Sequence, residues 1–177
     1  IYGNEAKQNA TMMARFGFDA HYLKDGIKSW KGDLTKSTQD TTISGDNLWE
    51  SIKQNNDVFL LDVREPQEFA EFKIPGAVNI PLSQLFTPGS QSQLPKDKKI
   101  VTICSHGNRS MVATFALAQN GLESTSLVGG MSLWNQVLSA TTLKENDTTI
   151  IQVEKIGKGC LSHIIGSNGE AVIIDPT

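Results

Sequence analysis

The sequence predicts an α/β protein, a parallel sheet with helices on both faces and short flanking fragments at its ends. Two apolar runs, Val58-Phe59-Leu60-Leu61 and Ile100-Val101-Thr102-Ile103, are short and apolar at nearly every position, the pattern of strands buried on both sides. After the second run, Met111, Val112, Phe115, Ala116 and Ala118 recur at near-helical spacing over residues 108–120. Strands that alternate with helices imply parallel pairing and a covered sheet.

The bulk properties fit one well-buried domain with additional pieces. The chain has 177 residues, 38% of them hydrophobic and 20% charged. It contains no apolar run long enough for a membrane helix. With a formal net charge of −3 it presents no broad basic field, so neither nucleic acid nor an anionic membrane is an expected partner. A small substrate is the expectation. Cys104 and Cys160 are too far apart in sequence for a close ligand pair and too few for a disulfide framework, which fits a reducing, cytoplasmic setting.

Taken in order, residues 1–32 repeat a later stretch. Shifted by 104 positions, Gly3-Asn4 falls on Gly107-Asn108, Ala14 on Ala118, Gly17 on Gly121, Leu23 on Leu127, Gly26 on Gly130 and Trp30 on Trp134. This opening reads as the C-terminal part of a preceding copy of the same module, and the position matching Cys104 would precede Ile1. In that copy Glu5 stands where Arg109 stands in the second, so its loop is expected to bind anions poorly. Residues 33–40 are polar and aperiodic, a linker.

The complete module is expected over residues 41–137. Asp46 is placed to cap a helix through Leu48, Trp49 and Ile52. The two buried strands follow, and Gly121 sits where a helix over residues 108–120 needs a C-terminal cap. Residues 138–147 read as a second linker. Beyond it, Ile150–Val153, residues 159–165 and residues 171–176 read as three strands, with Asn168-Gly169 as a tight turn before the last.

The chemistry concentrates at Ile103-Cys104-Ser105-His106-Gly107-Asn108-Arg109-Ser110, where a buried strand delivers a cysteine to a short polar loop that opens a helix. Ligands of open parallel sheets bind beyond the carboxyl ends of the strands, and a helix N-terminus offers unpaired N–H groups and partial positive charge. Several loop amides can face one anionic sulfur, and Arg109 adds a cation that favours the nucleophilic thiolate. Gly107 supplies the backbone freedom a tight ring needs. A lone cysteine is more often an inert small hydrophobe, but the polar loop argues for reactivity. His106 is equally well read as an exposed loop side chain or as a substrate contact, and His21 and His163 as non-catalytic.

These residues resemble the rhodanese family, and the resemblance spans residues 41–137. Leu61-Asp62-Val63-Arg64-Glu65-Pro66-Gln67-Glu68-Phe69 looks like one family signature, Ile74-Pro75-Gly76-Ala77-Val78-Asn79-Ile80-Pro81 like the next, and Gly129-Gly130-Met131-Ser132-Leu133-Trp134 like the closing one. Lys73 stands where members often carry His. The resemblance implies a sulfurtransferase: Cys104 takes sulfane sulfur from thiosulfate or a persulfide and passes it to a thiophilic acceptor. The amides of Ser105, His106, Gly107, Asn108, Arg109 and Ser110 would hold the persulfide, while Asp62, Arg64 and Glu68 would form a buried ionic support. The partners implied are a small sulfur donor and a thiol acceptor.

The last thirty residues resemble the opening strands of the metallo-β-lactamase fold, in its persulfide dioxygenase and glyoxalase II branches. No metal is expected in this chain; the resemblance implies iron or zinc only in the part of such a fold that would follow. Cys160 reads as a strand residue. An alternative function is a persulfide-binding or protein-docking module within a larger sulfur-oxidising protein of that fold. A third is a phosphatase or arsenate reductase of the rhodanese fold, but those resemble one another in a loop one residue longer between cysteine and arginine. The four residues Ser105, His106, Gly107 and Asn108 make a ring sized for one sulfur atom.

Overall fold

The computed structural model describes residues 3–32, 41–54 and 57–176. The expected linker over 33–40 lies outside the described residues, as does the side chain of Glu5. From the N-terminus come helix α1 (Gly3–Arg15) and a 3₁₀ turn (Gly26–Ser29), then strand β1 (Thr42–Ile43), α2 (Gly45–Lys53), β2 (Val58–Asp62), α3 (Pro66–Glu71), β3 (Val78–Asn79) and α4 (Leu82–Leu85). A second 3₁₀ turn (Ser90–Gln93) leads to β4 (Lys99–Ile103), α5 (Asn108–Gln119), β5 (Ser124–Leu127) and α6 (Gly130–Trp134). A second sheet closes the chain: β6 (Leu138–Glu145), β7 (Thr148–Lys155), β8 (Cys160–Ser167) and β9 (Glu170–Ile174).

The first sheet is parallel throughout, in the order β1-β5-β4-β2-β3. Successive side chains of a strand point to opposite faces, and here that alternation divides the core in two. Leu61 and Ile100 pack with Leu82 and Leu85 of α4 and with Ala113 and Leu117 of α5. Leu60, Val101 and Ile103 face the other way, onto Leu48 of α2 and Met131 and Trp134 of α6. Both strands are therefore apolar at consecutive positions because each is covered on both sides. β4 lies between β5 and β2, so Cys104 leaves the middle of the sheet at its carboxyl edge.

Two local expectations are corrected. The N-cap of α2 is Ser44, whose Oγ accepts the Asn47 N–H at 3.2 Å, and Asp46 occupies the first turn instead. Residues 138–147 are not a linker: β6 pairs with β7 from Leu138↔Lys155 to Glu145↔Thr148. Its sequence lacks an apolar alternation because nearly all of it is exposed, and the strand is held by its neighbour's hydrogen bonds. The second sheet is an antiparallel meander, with the Asn168-Gly169 turn at φ +52° and +82°. At the β7–β8 turn, Ile156 packs into the α2/α6 core and donates its N–H to Val137 at 2.9 Å. The turn of the second sheet is thus in contact with the α2/α6 side of the first.

Positions matched by the shift of 104 share backbone features. α5 ends with Gly121 N–H to Ala118 O at 3.0 Å and Leu122 N–H to Leu117 O at 3.1 Å, a Schellman closure. At the positions 104 earlier, α1 ends with Gly17 N–H to Ala14 O at 3.1 Å and Phe18 N–H to Met13 O at 3.3 Å. Gly26 and Gly130, matched in the same alignment, both have positive φ and both open a helical turn. Met12 of α1 packs against the α4/α5 core, and Phe16 and Phe18 meet the Phe86 ring at centroid distances of 5.6 and 5.4 Å.

Candidate active site

Cys104 is buried where β4 ends, and Gly107, at φ +100°, turns the chain into α5. Within this turn the Gly107 N–H donates to the Cys104 Sγ at 3.1 Å. A polar floor lies beneath the sulfur. The Cys104 thiol donates to the Ser110 Oγ at 3.4 Å, and that hydroxyl is 3.0 Å from the Gly107 carbonyl and 2.7 Å from the Ser126 Oγ of β5. Below it, the Thr102 hydroxyl lies 2.7 Å from the Thr114 hydroxyl and donates to the Ser110 carbonyl at 3.0 Å. A thiol uses Ser110 as acceptor; once the sulfur is an anion, the same hydroxyl can turn and donate to it while Ser126 donates in its place.

The carbonyl side of the loop is seated on α6. Met131 donates its N–H to Cys104 O at 2.8 Å and Ser132 to Ser105 O at 3.0 Å. Gly130 is in contact with the same carbonyl, and a Cβ there would also lie 2.8 Å from the Ser105 carbonyl carbon. The Gly129–Trp134 motif therefore acts as the loop's seat.

Around the rim, Arg109 grips Glu68 with both arms: Nη1 to Oε2 at 2.7 Å and Nη2 to Oε1 at 2.8 Å. Nη2 also donates to Ser105 Oγ at 2.9 Å, and Ser105 donates to Glu68 Oε1 at 2.6 Å. Glu68 further accepts the Glu65 N–H at 3.0 Å, closing a capping box on α3. The Arg109 hydrogen bonds hold the Glu68 carboxyl down to about 2 against an opposing effect of burial, with Ser105 and the Glu65 N–H adding to the shift. The same pairing raises Arg109 above its ordinary range.

Asp62 and Arg64 form the expected buried pair, Nε to Oδ1 at 3.0 Å and Nη2 to Oδ2 at 2.7 Å. Arg64 Nη2 also holds the Phe72 carbonyl at 2.6 Å, and Asn79 Nδ2 bridges the carbonyls of Asp62 and Arg64. Glu68, expected with this pair, instead belongs to the loop. A carboxylate one helical turn into α3 reaches the Cys104 loop, whereas Asp62 and Arg64 are already saturated by each other and by backbone.

His106 and Asn108 are exposed on the rim. Lys73 lies over the Phe69 ring at 4.8 Å, His21 is beside Asp19 on the surface, and Cys160 is exposed on β8. Among the described residues no three His, Cys, Asp or Glu side chains gather as metal ligands, and no helix is long and apolar enough to cross a membrane. The hydroxyl floor of Thr102, Thr114 and Ser126 was not anticipated. Its one signal in the sequence is polar residues set within otherwise buried strands, Thr102 between Val101 and Ile103 and Ser126 before Leu127.

Residues 44–137 match the model of the rhodanese-like domain. The chain is 39% identical over 92 residues to a putative sulfurtransferase of Bacillus subtilis, YtwF, spanning 52% of this chain and 87% of that protein. It is 34% identical over 93 residues to a sulfurtransferase of Allochromatium vinosum, spanning 52% and 85%. A solved rhodanese-like domain protein of Staphylococcus aureus superposes with a TM-score of 0.50 at 29% identity, covering 53% of this chain and 90% of its own. With the parallel sheet, the cysteine loop and these matches in agreement, the chain belongs to the rhodanese-like domain family.

Proposed function

We propose that this chain is a sulfurtransferase that carries sulfane sulfur on Cys104 as a persulfide. The Cys104 thiolate attacks the outer sulfur of a donor, the donor's S–S bond breaks, and its remainder leaves with the electron pair. The new persulfide anion rests among the amides of residues 105–110 until a thiophilic acceptor removes the outer sulfur. The observation that carries this reading is the Gly107 N–H aimed at Cys104 Sγ from a loop that opens a helix at the carboxyl edge of the sheet. Relatives named sulfurtransferases support it. The test is mass spectrometry after exposure to thiosulfate or a hydropersulfide: one sulfur atom is added at Cys104 and removed by cyanide. No added sulfur overturns the reading.

For the flanks, the repeated helix closure supports residues 1–32 as the C-terminal remnant of a preceding rhodanese-like module. The antiparallel meander of β6 to β9 is compatible with the opening of a metallo-β-lactamase-like domain. Sequencing the encoding gene on both sides tests both statements: the earlier part of a rhodanese-like module before Ile1 and a histidine-rich metal motif after Thr177 are the expected results.

A further inference from the structure

We propose that the donor at this site is a monoanionic hydropersulfide, R–S–S⁻, rather than the thiosulfate dianion, because among the described residues the rim of the Cys104 loop carries no uncommitted Lys or Arg charge to meet a second negative one. This rests on the sulfur-transfer reading and names its substrate.

Arg109 is the only Lys or Arg from Cys104 to Ser110. Its guanidinium is committed: three of its hydrogen bonds run to Glu68 and Ser105, and its charge, which also acts on Cys104, is offset by the Glu68 carboxylate. The Glu68 carboxyl is held down to about 2 by Arg109, so the neutralisation persists at neutral pH. Glu65 adds a further carboxylate. It is the N-cap of α3, its backbone N–H is bonded to Glu68, and its charge acts on the Arg109 guanidinium. Lys73, the nearest cation along the chain beyond α3, is placed over Phe69. What remains to attract an anion is the inward-facing amide of Gly107 and the N-terminus of α5, equivalent to roughly half a positive charge.

That provision suits one negative sulfur held inside the ring. Thiosulfate brings in addition a charged sulfonate, which must stay outside the ring, beside Glu68 and Glu65. A hydropersulfide puts an organic group there. In the transfer, the Cys104 thiol gives its proton to R–S–S⁻, the resulting Cys104–S⁻ attacks the terminal sulfur of R–S–SH, the S–S bond of the donor breaks, and R–S⁻ departs. The proton of the new Cys104–S–SH passes to R–S⁻, giving Cys104–S–S⁻ and R–SH. The sulfur atom moves at unchanged oxidation state, and no other reactant is required.

The test compares single-turnover loading of Cys104, read by mass spectrometry, from thiosulfate and from the hydropersulfide of N-acetylcysteine methyl ester, whose organic part is uncharged. Loading from the hydropersulfide is expected to be at least about tenfold faster. Raising salt from about 10 mM to about 150 mM shortens the screening length from roughly 30 Å to roughly 8 Å. Thiosulfate loading should then rise severalfold. Glu65→Gln keeps an acceptor for the helix cap and removes the charge, so the thiosulfate-to-hydropersulfide rate ratio should rise about threefold or more, as expected for one charge at an effective dielectric constant near that of a protein surface. A fold defect would slow both donors and leave the ratio alone. Thiosulfate loading as fast as the hydropersulfide, a thiosulfate rate that falls with salt, or an unmoved ratio in Glu65→Gln each overturns the inference while leaving sulfur transfer standing. Loading from neither donor overturns the sulfur-transfer reading and this inference with it.

Discussion

The α-carbon of Gly130 lies against the carbonyl of Cys104 with no room for a side chain between them. The contact couples two signatures far apart in sequence, since the first turn of α6 both touches and hydrogen-bonds the loop that carries the sulfur. Gly130→Ala should therefore push on backbone and cost about 3 kcal/mol, from overpacking and from a left-handed φ of +55°. Gly121→Ala is the control: its φ is +73° but its surroundings are open, so about 1 kcal/mol is expected. Chemical denaturation of the two variants measures the difference.

Much of this site was legible because the sequence writes it locally. The Cys104-to-Ser110 loop, the flanking strand and the capped helix are contiguous, and Gly121 terminates α5 as its position demands. What was not legible depends on distant pairing. Glu68 looked like a companion of Arg64 because they are close in sequence, yet Arg109 is its partner across the fold. The two-residue strands β1 and β3 carry no periodicity to detect, and β6 exists through its pairing with β7. Ser126 reaches Ser110 only because β5 lies beside β4.

Cys104→Ser should abolish sulfur loading from any donor while the protein stays folded. The serine hydroxyl has acceptors and donors ready in Ser110 and the Gly107 N–H, so the buried position remains satisfied. The expected loss of stability is about 1 kcal/mol. Sulfur transfer by a well-folded Cys104→Ser protein would sink the assignment of the nucleophile.

The Arg109–Glu68 pair predicts a specific acid dependence. Glu68 has a folded-state value near 2 against an ordinary 4.5, so its contribution is complete above about 4.5 and is lost as the pH falls toward 2. The pair is about a third exposed, which limits the contribution to about 1 kcal/mol. Glu68→Gln should melt slightly below the parent protein at pH 7, with the gap closing near pH 2. Arg109→Glu, which copies the residue at the matching position of the first repeat, should slow both alkylation and sulfur loading of Cys104 by about tenfold or more, because it places two facing carboxylates beside Ser105.

Asp62→Ala attacks the support beneath the rim. It leaves the Arg64 guanidinium buried with the Phe72 carbonyl as its remaining charge-compensating contact on that side, and breaking a buried pair in this way costs about 3–5 kcal/mol. For a chain of this size that is about 10 °C in Tm. Calorimetry should show it, and a shift under about 2 °C would mean that the pair is not buried in solution.

Ring size decides between sulfur and phosphate. A tetrahedral phosphate needs donors spread around three oxygens with a cation closing the ring, and the rhodanese-fold phosphatases resemble one another in having one more residue before that arginine. Here the corresponding position is Ser110, which is fully buried with its hydroxyl engaged by Ser126 and the Gly107 carbonyl, so no cation reaches the pocket from there. Arg109, one residue earlier, points to Glu68 instead. The unmodified protein should therefore load sulfur and leave aryl phosphates unhydrolysed under the same conditions. Inserting one glycine after Gly107 should widen the ring, remove the close Gly107 N–H to Sγ contact and slow sulfur loading by about tenfold or more, since a displacement of roughly 1 Å at a reacting group can cost about a hundredfold. Aryl phosphate hydrolysis by the unmodified protein at a rate above its sulfur transfer would overturn the ring-size argument and favour a phosphatase.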